Sequence, residues 1–160
     1  MINNNSFDSM VSDIVTYVTA EKRGLNTVLI YGALGVDKTH ILHAIENEIK
    51  TTTTDKKVVS VTAVKFAAEL VVAIERNEWS SFKDKFKGAD VLIMDDLQFL
   101  QGKDAVQEAF FYMFNDRYEA GKKMIFGCNC NPLEMENISG QILNRITNGL
   151  VIELVREKRN

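Results

Sequence analysis

A three-layer α/β domain built on a five-stranded parallel sheet is the fold class this sequence predicts. Three observations carry that expectation. Five short apolar runs alternate with longer segments of helical periodicity. A glycine-bearing turn, Gly32-Ala-Leu-Gly35-Val-Asp37-Lys38-Thr39, joins the first run to a helical segment. The third run ends on two adjacent carboxylates, Asp95 and Asp96. Runs rich in Val and Ile without polar alternation read as strands covered on both faces, and crossover segments long enough for helices make a parallel sheet the natural outcome. At 160 residues, with 46% apolar and 26% charged side chains, the chain has the size and composition of one globular domain with a sizeable core, so residues 1–160 read as a single unit.

The elements follow in order. Residues 7–20 place Met10, Ile14, Val15 and Val18 near helical spacing. Val28-Leu-Ile-Tyr31 is the first strand, and residues 38–48 form the helix after the turn, with Ile41, Leu42 and Ile45 as its apolar side. Residues 51–55 are a polar turn, and 58–61 the second strand. Residues 64–76 carry Phe66, Leu70 and Ile74 at spacings of four. The third strand is 91–94. The stripe Val106, Phe110, Phe114 and Tyr118 predicts a helix over 105–120, stopped by Gly121 with Lys122 and Lys123 beyond it. Strands at 124–127 and 151–154 complete the sheet. Pro132 sits just past the fourth strand, and 139–144 has helical potential.

The turn has the chemistry of a phosphate loop. A glycine-rich strand-to-helix turn points backbone N–H groups at an anion, and the helix end adds partial positive charge. Gly32 and Gly35 keep side chains out of the cradle, Lys38 is placed to reach the β- and γ-phosphates, and Thr39 to ligate Mg²⁺. The pattern asks for glycine before the lysine, and this chain has Asp37. Its backbone is more restricted and its carboxylate would face phosphate oxygens, so weaker nucleotide binding is expected. Three outcomes are compatible with it: the loop adjusts and the side chain turns to solvent, binding is weakened, or the loop is disabled. Asp95 and Asp96 match the acidic strand end that holds Mg²⁺ and polarises the attacking water in such proteins. A nucleoside triphosphate and Mg²⁺ are therefore the ligands these two motifs point to in a P-loop NTPase core, with Thr39 and Asp95 at the metal.

Bulk properties exclude other classes. A net charge of −3 argues against a protein whose binding energy comes mainly from neutralising many phosphates. No apolar run is long enough to cross a bilayer, and the first eight residues lack the apolar segment of a secretory signal. Cys128 and Cys130 are too few for a metal site, and two free thiols suit a reducing cytoplasm, the expected location.

Several stretches resemble the AAA+ ATPase core of the bacterial chromosomal replication initiator family, DnaA. They are Leu29-Ile-Tyr-Gly32, Lys38-Thr-His-Ile-Leu-His-Ala-Ile45, Val91-Leu-Ile-Met-Asp-Asp-Leu-Gln-Phe-Leu100, Gly102-Lys103, Phe110-Phe-Tyr-Met-Phe-Asn115 and Tyr118-Glu-Ala-Gly-Lys122, with a weaker match at Asn144-Arg-Ile-Thr-Asn-Gly-Leu150. The resemblance covers nearly the whole chain. It implies the strand order 5-1-4-3-2 and an ATP-dependent initiator that assembles as a homo-oligomer on origin DNA, together with other replication proteins. It implies that Asn129 stands at the γ-phosphate sensor, where the family usually has aspartate. It also implies that Arg145 is the arginine finger offered to a neighbouring subunit's ATP, and that residues 65–87 occupy the region facing single-stranded DNA.

Departures from the family pattern are Asp37, Gln141 where an arginine is usual, and a short, altered segment around Val11 to Asp13. The helical lid and the C-terminal helix-turn-helix domain are expected to be absent, so this chain is not expected to recognise an origin sequence. Lys65, Arg76, Lys83, Lys85 and Lys87 are nearly balanced by Glu69, Glu75, Glu78 and Asp84, so single-strand binding is expected to be weak at most. Two other readings stand beside the initiator ATPase: a nucleotide-independent interaction protein with a degenerate loop, and a helicase-loader-type ATPase.

Overall fold

The computed structural model describes residues 4–20, 26–32 and 38–155. Within them the element order is α1 (Asn4–Thr19), β1 (Thr27–Tyr31), α2 (Lys38–Thr52), β2 (Val58–Thr62), α3 (Ala63–Glu75), α4 (Trp79–Lys87), β3 (Val91–Asp95), α5 (Asp104–Glu119), β4 (Lys123–Cys128), α6 (Gly140–Ile146) and β5 (Leu150–Glu153). Short 3₁₀ turns cover Leu97–Leu100 and Pro132–Glu134. The five strands form one parallel sheet in the order β2-β3-β4-β1-β5. This is the expected order, read from the other edge.

Alternation along the central strands divides the core into two layers. Leu29, Leu92, Met94, Met124 and Phe126 face one side, against Phe66, Phe110, Phe114 and the helices α3 to α6. Val28, Ile30, Val91, Ile93 and Ile125 face the other, against Ile14, Val18, Leu42 and Ile45 of α1 and α2. Successive side chains of a strand point to opposite faces, so a run apolar at every position serves both layers at once. The edge strands depart from this expectation. Val151 of β5 is exposed, and β2 is mostly half-exposed, because an edge strand has one neighbour and incomplete helical cover.

The helical assignments hold with two corrections. Ile74 is 64% exposed rather than part of the core, and Ala73 takes the buried position on α3. A spacing of four drifts around a helix of 3.6 residues per turn, so the third member of the Phe66–Leu70–Ile74 series has left the buried face. The second is an addition: α4, over Trp79–Lys87, is a helix that the sequence did not predict. Thr62 caps α3 by accepting from the Lys65 N–H at 3.0 Å, and the chain turns at Asn77, whose φ of 55° is left-handed, before α4 begins. Phe82 and Phe86 of α4 pack against Phe66, Phe82 tilted and Phe86 edge-on to its ring. Their period-4 signal is short and was submerged in the surrounding lysines. Gly121, at φ 71°, ends α5 as expected from its position after the stripe.

A buried arginine ties this side together. Arg117, 1% exposed, donates from Nη1 to the carbonyls of Phe86 (2.6 Å) and Ala89 (2.7 Å), and from Nη2 to that of Lys123 (2.7 Å). It joins the end of α4, the start of β3 and the start of β4. Burial pulls its pKa down to about 10, which leaves it charged at neutral pH.

Candidate nucleotide-binding site

The carboxyl ends of β1, β4 and β3 lie side by side, which in a parallel sheet is where ligand sites form. β1 delivers Gly32, buried, whose N–H donates to the Cys128 carbonyl at 3.2 Å across the β1–β4 ladder. Gly35 and Asp37 lie outside the described residues. Lys38 and Thr39 open α2, so both stand at a helix N-terminus. There the backbone N–H groups of the first turn have no intrahelical acceptor and favour an anion.

Two of the predicted ligands meet directly. The Thr39 hydroxyl donates to Asp95 Oδ2 at 3.1 Å, bridging the start of α2 and the end of β3. The other carboxylate oxygen, Asp95 Oδ1, accepts the Asp96 N–H at 2.8 Å. A hydroxyl and a carboxylate converging on one point are a hard oxygen pair of the kind Mg²⁺ takes, with water and phosphate oxygens filling the remaining positions. The residues present therefore fit the metal that the phosphate-loop pattern implies.

Gly127 makes room for this arrangement, and sequence reading assigned it no role. A Cβ there would collide with Asp95 Oδ1 and lie 2.8 Å from Leu42 Cδ1. Asp95 therefore lays its carboxylate across a position on β4 that no other residue could occupy without movement.

Asp96 has a left-handed backbone, φ 61°. Aspartate tolerates this conformation better than most residues, and its presence at a strand tip is a feature of functional turns. From here a polar chain runs on. Gln98 Nε2 donates to Asp96 Oδ1 at 3.3 Å, and Gln98 Oε1 accepts the Asn129 N–H at 3.2 Å. Gln98 thus couples the acidic pair to the position of the expected γ-phosphate sensor. It was visible in the sequence only as part of a matching string.

Arg145 stands apart from this cluster. It is exposed on α6 and lines a cavity of about 530 Å³ with Phe111, Gln141, Asn144, Thr147 and Asn148. Among the described residues no ion pair holds its guanidinium. Its helix is fixed from behind by Gln107, 7% exposed, whose amide donates to the carbonyls of Leu100 (2.7 Å) and Asn137 (2.9 Å) and accepts the Ser139 N–H (3.0 Å). Ser139 in turn caps α6.

The α3–α4 region presents both charge and apolar surface. Lys85 is engaged by both oxygens of Glu69, at 2.8 and 2.9 Å, which reduces the free positive charge expected there. Val64, Val71 and Ile74 of α3 are exposed, as is Trp79 at the start of α4. No helix among the described residues is long and apolar enough to cross a membrane.

Sheet order and the two-layered core define an AAA+-type three-layer α/β fold. Residues 2–153 match the family model described as the bacterial DnaA ATPase domain, and the chain belongs to that family. It is 39% identical over 151 residues to the chromosomal replication initiator protein DnaA of Treponema denticola, covering 94% of this chain and 32% of that protein. It is 40% identical over 129 residues to DnaA of Rickettsia massiliae, covering 81% and 28%. The chain thus spans about a third of the length of these relatives. Domain III of Thermotoga maritima DnaA superposes with a TM-score of 0.86 at 29% identity, over 97% of this chain and 64% of that one. A replication initiator DnaA bound to AMPPCP and single-stranded DNA superposes at 0.84 and 29% identity, over 98% and 48%. The DnaC helicase loader, at 16% identity and a TM-score of 0.79, shares the fold alone.

Proposed function

We propose that this chain is the ATP- and Mg²⁺-binding core of a replication initiator, and that its nucleotide governs assembly on origin DNA more than it drives turnover. The observation that carries this reading is the Thr39–Asp95 contact at 3.1 Å. In this reading residues 1–160 act as one AAA+ core. Gly32, Gly35, Lys38 and Thr39 cradle the phosphates, and Thr39 and Asp95 hold the metal. Asp96 orients water and Asn129 senses the γ-phosphate. Bound Mg²⁺ would neutralise charge on the β- and γ-phosphates.

Asp37 is the residue that sets nucleotide affinity in this reading. Replacing it by glycine removes a like charge and a backbone restriction, together worth about 1–3 kcal/mol. Asp37→Gly is expected to bind Mg-ATP about 5- to 150-fold more tightly in calorimetry. Equal or weaker affinity would remove Asp37 from this role. If neither protein bound Mg-ATP, the nucleotide-binding reading itself would fail, which would favour the interaction protein that has lost its nucleotide.

Arg145 serves a neighbouring copy. Its exposure on α6 supports a guanidinium presented outward, where it would meet the γ-phosphate held by another subunit. The α3–α4 region would then contact single-stranded DNA, with exposed Val64 and Val71 available to bases and lysines to the backbone. One experiment tests both parts: sedimentation of Asp37→Gly protein with Mg-ATP and a labelled oligothymidylate. ATP-dependent complexes that weaken with salt, and that Arg145→Ala abolishes without changing single-subunit ATP affinity, are expected. Assembly unchanged by Arg145→Ala would refute the arginine's role.

A further inference from the structure

The thiols of Cys128 and Cys130 stand outside the nucleotide chemistry, yet they bracket Asn129. Their Sγ atoms are 3.8 Å apart. Residues two apart on a strand share a face, and the chain bends at Asn129 and Cys130 immediately after β4 ends at Cys128, which brings the sulfurs together. Cys128 is fully buried and Cys130 partly exposed. Each of the three residues is anchored differently. The Cys128 carbonyl accepts the Gly32 N–H of the phosphate loop, the Asn129 N–H donates to Gln98, and Cys130 packs against the core beneath α3 to α6.

We propose that Cys128 and Cys130 form a redox modification site, oxidised by low-molecular-weight disulfides of the glutathione class, whose closure displaces Asn129 and switches the nucleotide site off. The inference rests on the reading of Asn129 as a residue facing the nucleotide.

The chemistry is a thiol–disulfide exchange in two steps. The Cys130 thiolate, on the accessible side, attacks one sulfur of glutathione disulfide, forming a mixed disulfide and releasing one glutathione thiolate. Cys128 then attacks the Cys130 sulfur of that mixed disulfide, loses its proton to solvent and releases the second glutathione. Overall the two protein thiols give up two electrons and two protons, and one glutathione disulfide becomes two glutathione thiols. Burial pushes the Cys128 thiol up to about 12, so it is the poor first nucleophile and takes the resolving role, for which its closeness to Cys130 is what matters.

Closing the bond takes the sulfurs from 3.8 Å to about 2 Å. Cys128 is held in the β1–β4 ladder at the Tyr31 register, so Cys130 and the bend at Asn129 must move. That motion pulls the Asn129 N–H away from Gln98 Oε1 and frees Gln98 from its place beside Asp96. The thiol pair is thereby connected to the acidic pair through one side chain.

The test uses the purified chain equilibrated with glutathione disulfide and then with excess reduced glutathione. Mass spectrometry after thiol blocking should find an intramolecular disulfide, two hydrogens lighter, in the wild type and none in Cys130→Ser. In backbone NMR, oxidation should shift the Asn129 and Gln98 amide resonances and leave those of α1 in place. Mg-ATP affinity should fall about tenfold on oxidation, recover on reduction, and be insensitive to glutathione disulfide in Cys130→Ser. A stable glutathione adduct at Cys130 with Cys128 still free, or a disulfide between chains, would overturn the site. An internal disulfide that left the Asn129 and Gln98 resonances unmoved would overturn the switch. Should the reduced protein bind no nucleotide, the nucleotide reading fails alone, because mass and resonance shifts still decide the thiol chemistry.

Discussion

Asp95→Asn is expected to lower Mg-ATP turnover by about 10²–10³-fold, the size of effect seen when one preorganised electrostatic contact is removed from a reacting group. The asparagine is isosteric and can still accept the Asp96 N–H, so folding should be little changed. What it loses is the negative charge that faces Thr39 at 3.1 Å and that a divalent cation requires. The measurement is single-turnover hydrolysis in the Asp37→Gly background, where the nucleotide is expected to be held most tightly. Affinity for ATP in the absence of Mg²⁺ should be unchanged or slightly improved, since a like charge near the phosphates has gone. An Asp95→Asn protein that kept the parent's Mg²⁺-dependent rate would show that the carboxylate does not hold the metal.

Arg117→Met is expected to destabilise the domain by about 3–5 kcal/mol in urea unfolding, through a different route. Methionine fills much of the arginine's volume, so the loss is not mainly a cavity. It leaves the carbonyls of Phe86, Ala89 and Lys123 buried with no side-chain donor, and an unsatisfied buried acceptor costs about 1–3 kcal/mol. A change of that size is a large part of a typical domain's total stability. Arg117→Lys should recover little, because one ammonium on a flexible stem cannot span three carbonyls as a planar fork does. A loss under about 1 kcal/mol for Arg117→Met would mean that water or backbone movement replaces the guanidinium, and the clamp would not be the structural keystone its geometry indicates.

The two results would separate site from scaffold. Asp95 is half-buried at a strand tip and Arg117 lies on the far side of the same sheet strand's start, near Asp90 and Ala89. Asp90 itself is held by the Lys57 N–H at 2.8 Å and Lys122 at 3.2 Å, and the backbone hydrogen bond draws its carboxyl below the usual range. That end of the sheet is bound together by polar contacts that serve stability, while the carboxyl end carries Thr39 and Asp95, joined at 3.1 Å.

The sequence by itself determined the class of fold, the order of the strands and every helix but α4, and the two motifs of the candidate site. It could do so because strands covered on both faces must be apolar at every position, and because a phosphate-binding turn must keep its glycines, lysine and threonine within a few residues of one another. Those are local constraints, and local constraints are written in consecutive residues. The family resemblance added the strand order and the places of Asn129 and Arg145. Only the tertiary structure decided that Thr39 and Asp95 touch, that Gly127 is empty to admit Asp95, and that Gln98 links Asp96 to Asn129. These contacts join residues far apart in the chain, and their signal is a side chain that is missing or an amide that is ordinary in composition. Arg117 was invisible for the same reason. In sequence it reads as one more charge at the end of a helix, and nothing local reveals that three carbonyls from α4, β3 and β4 close around it. Ile74 erred the other way, apolar by pattern and exposed in fact, because a helix of 3.6 residues per turn carries a spacing of four off the buried face while the neighbouring Ala73 turns inward.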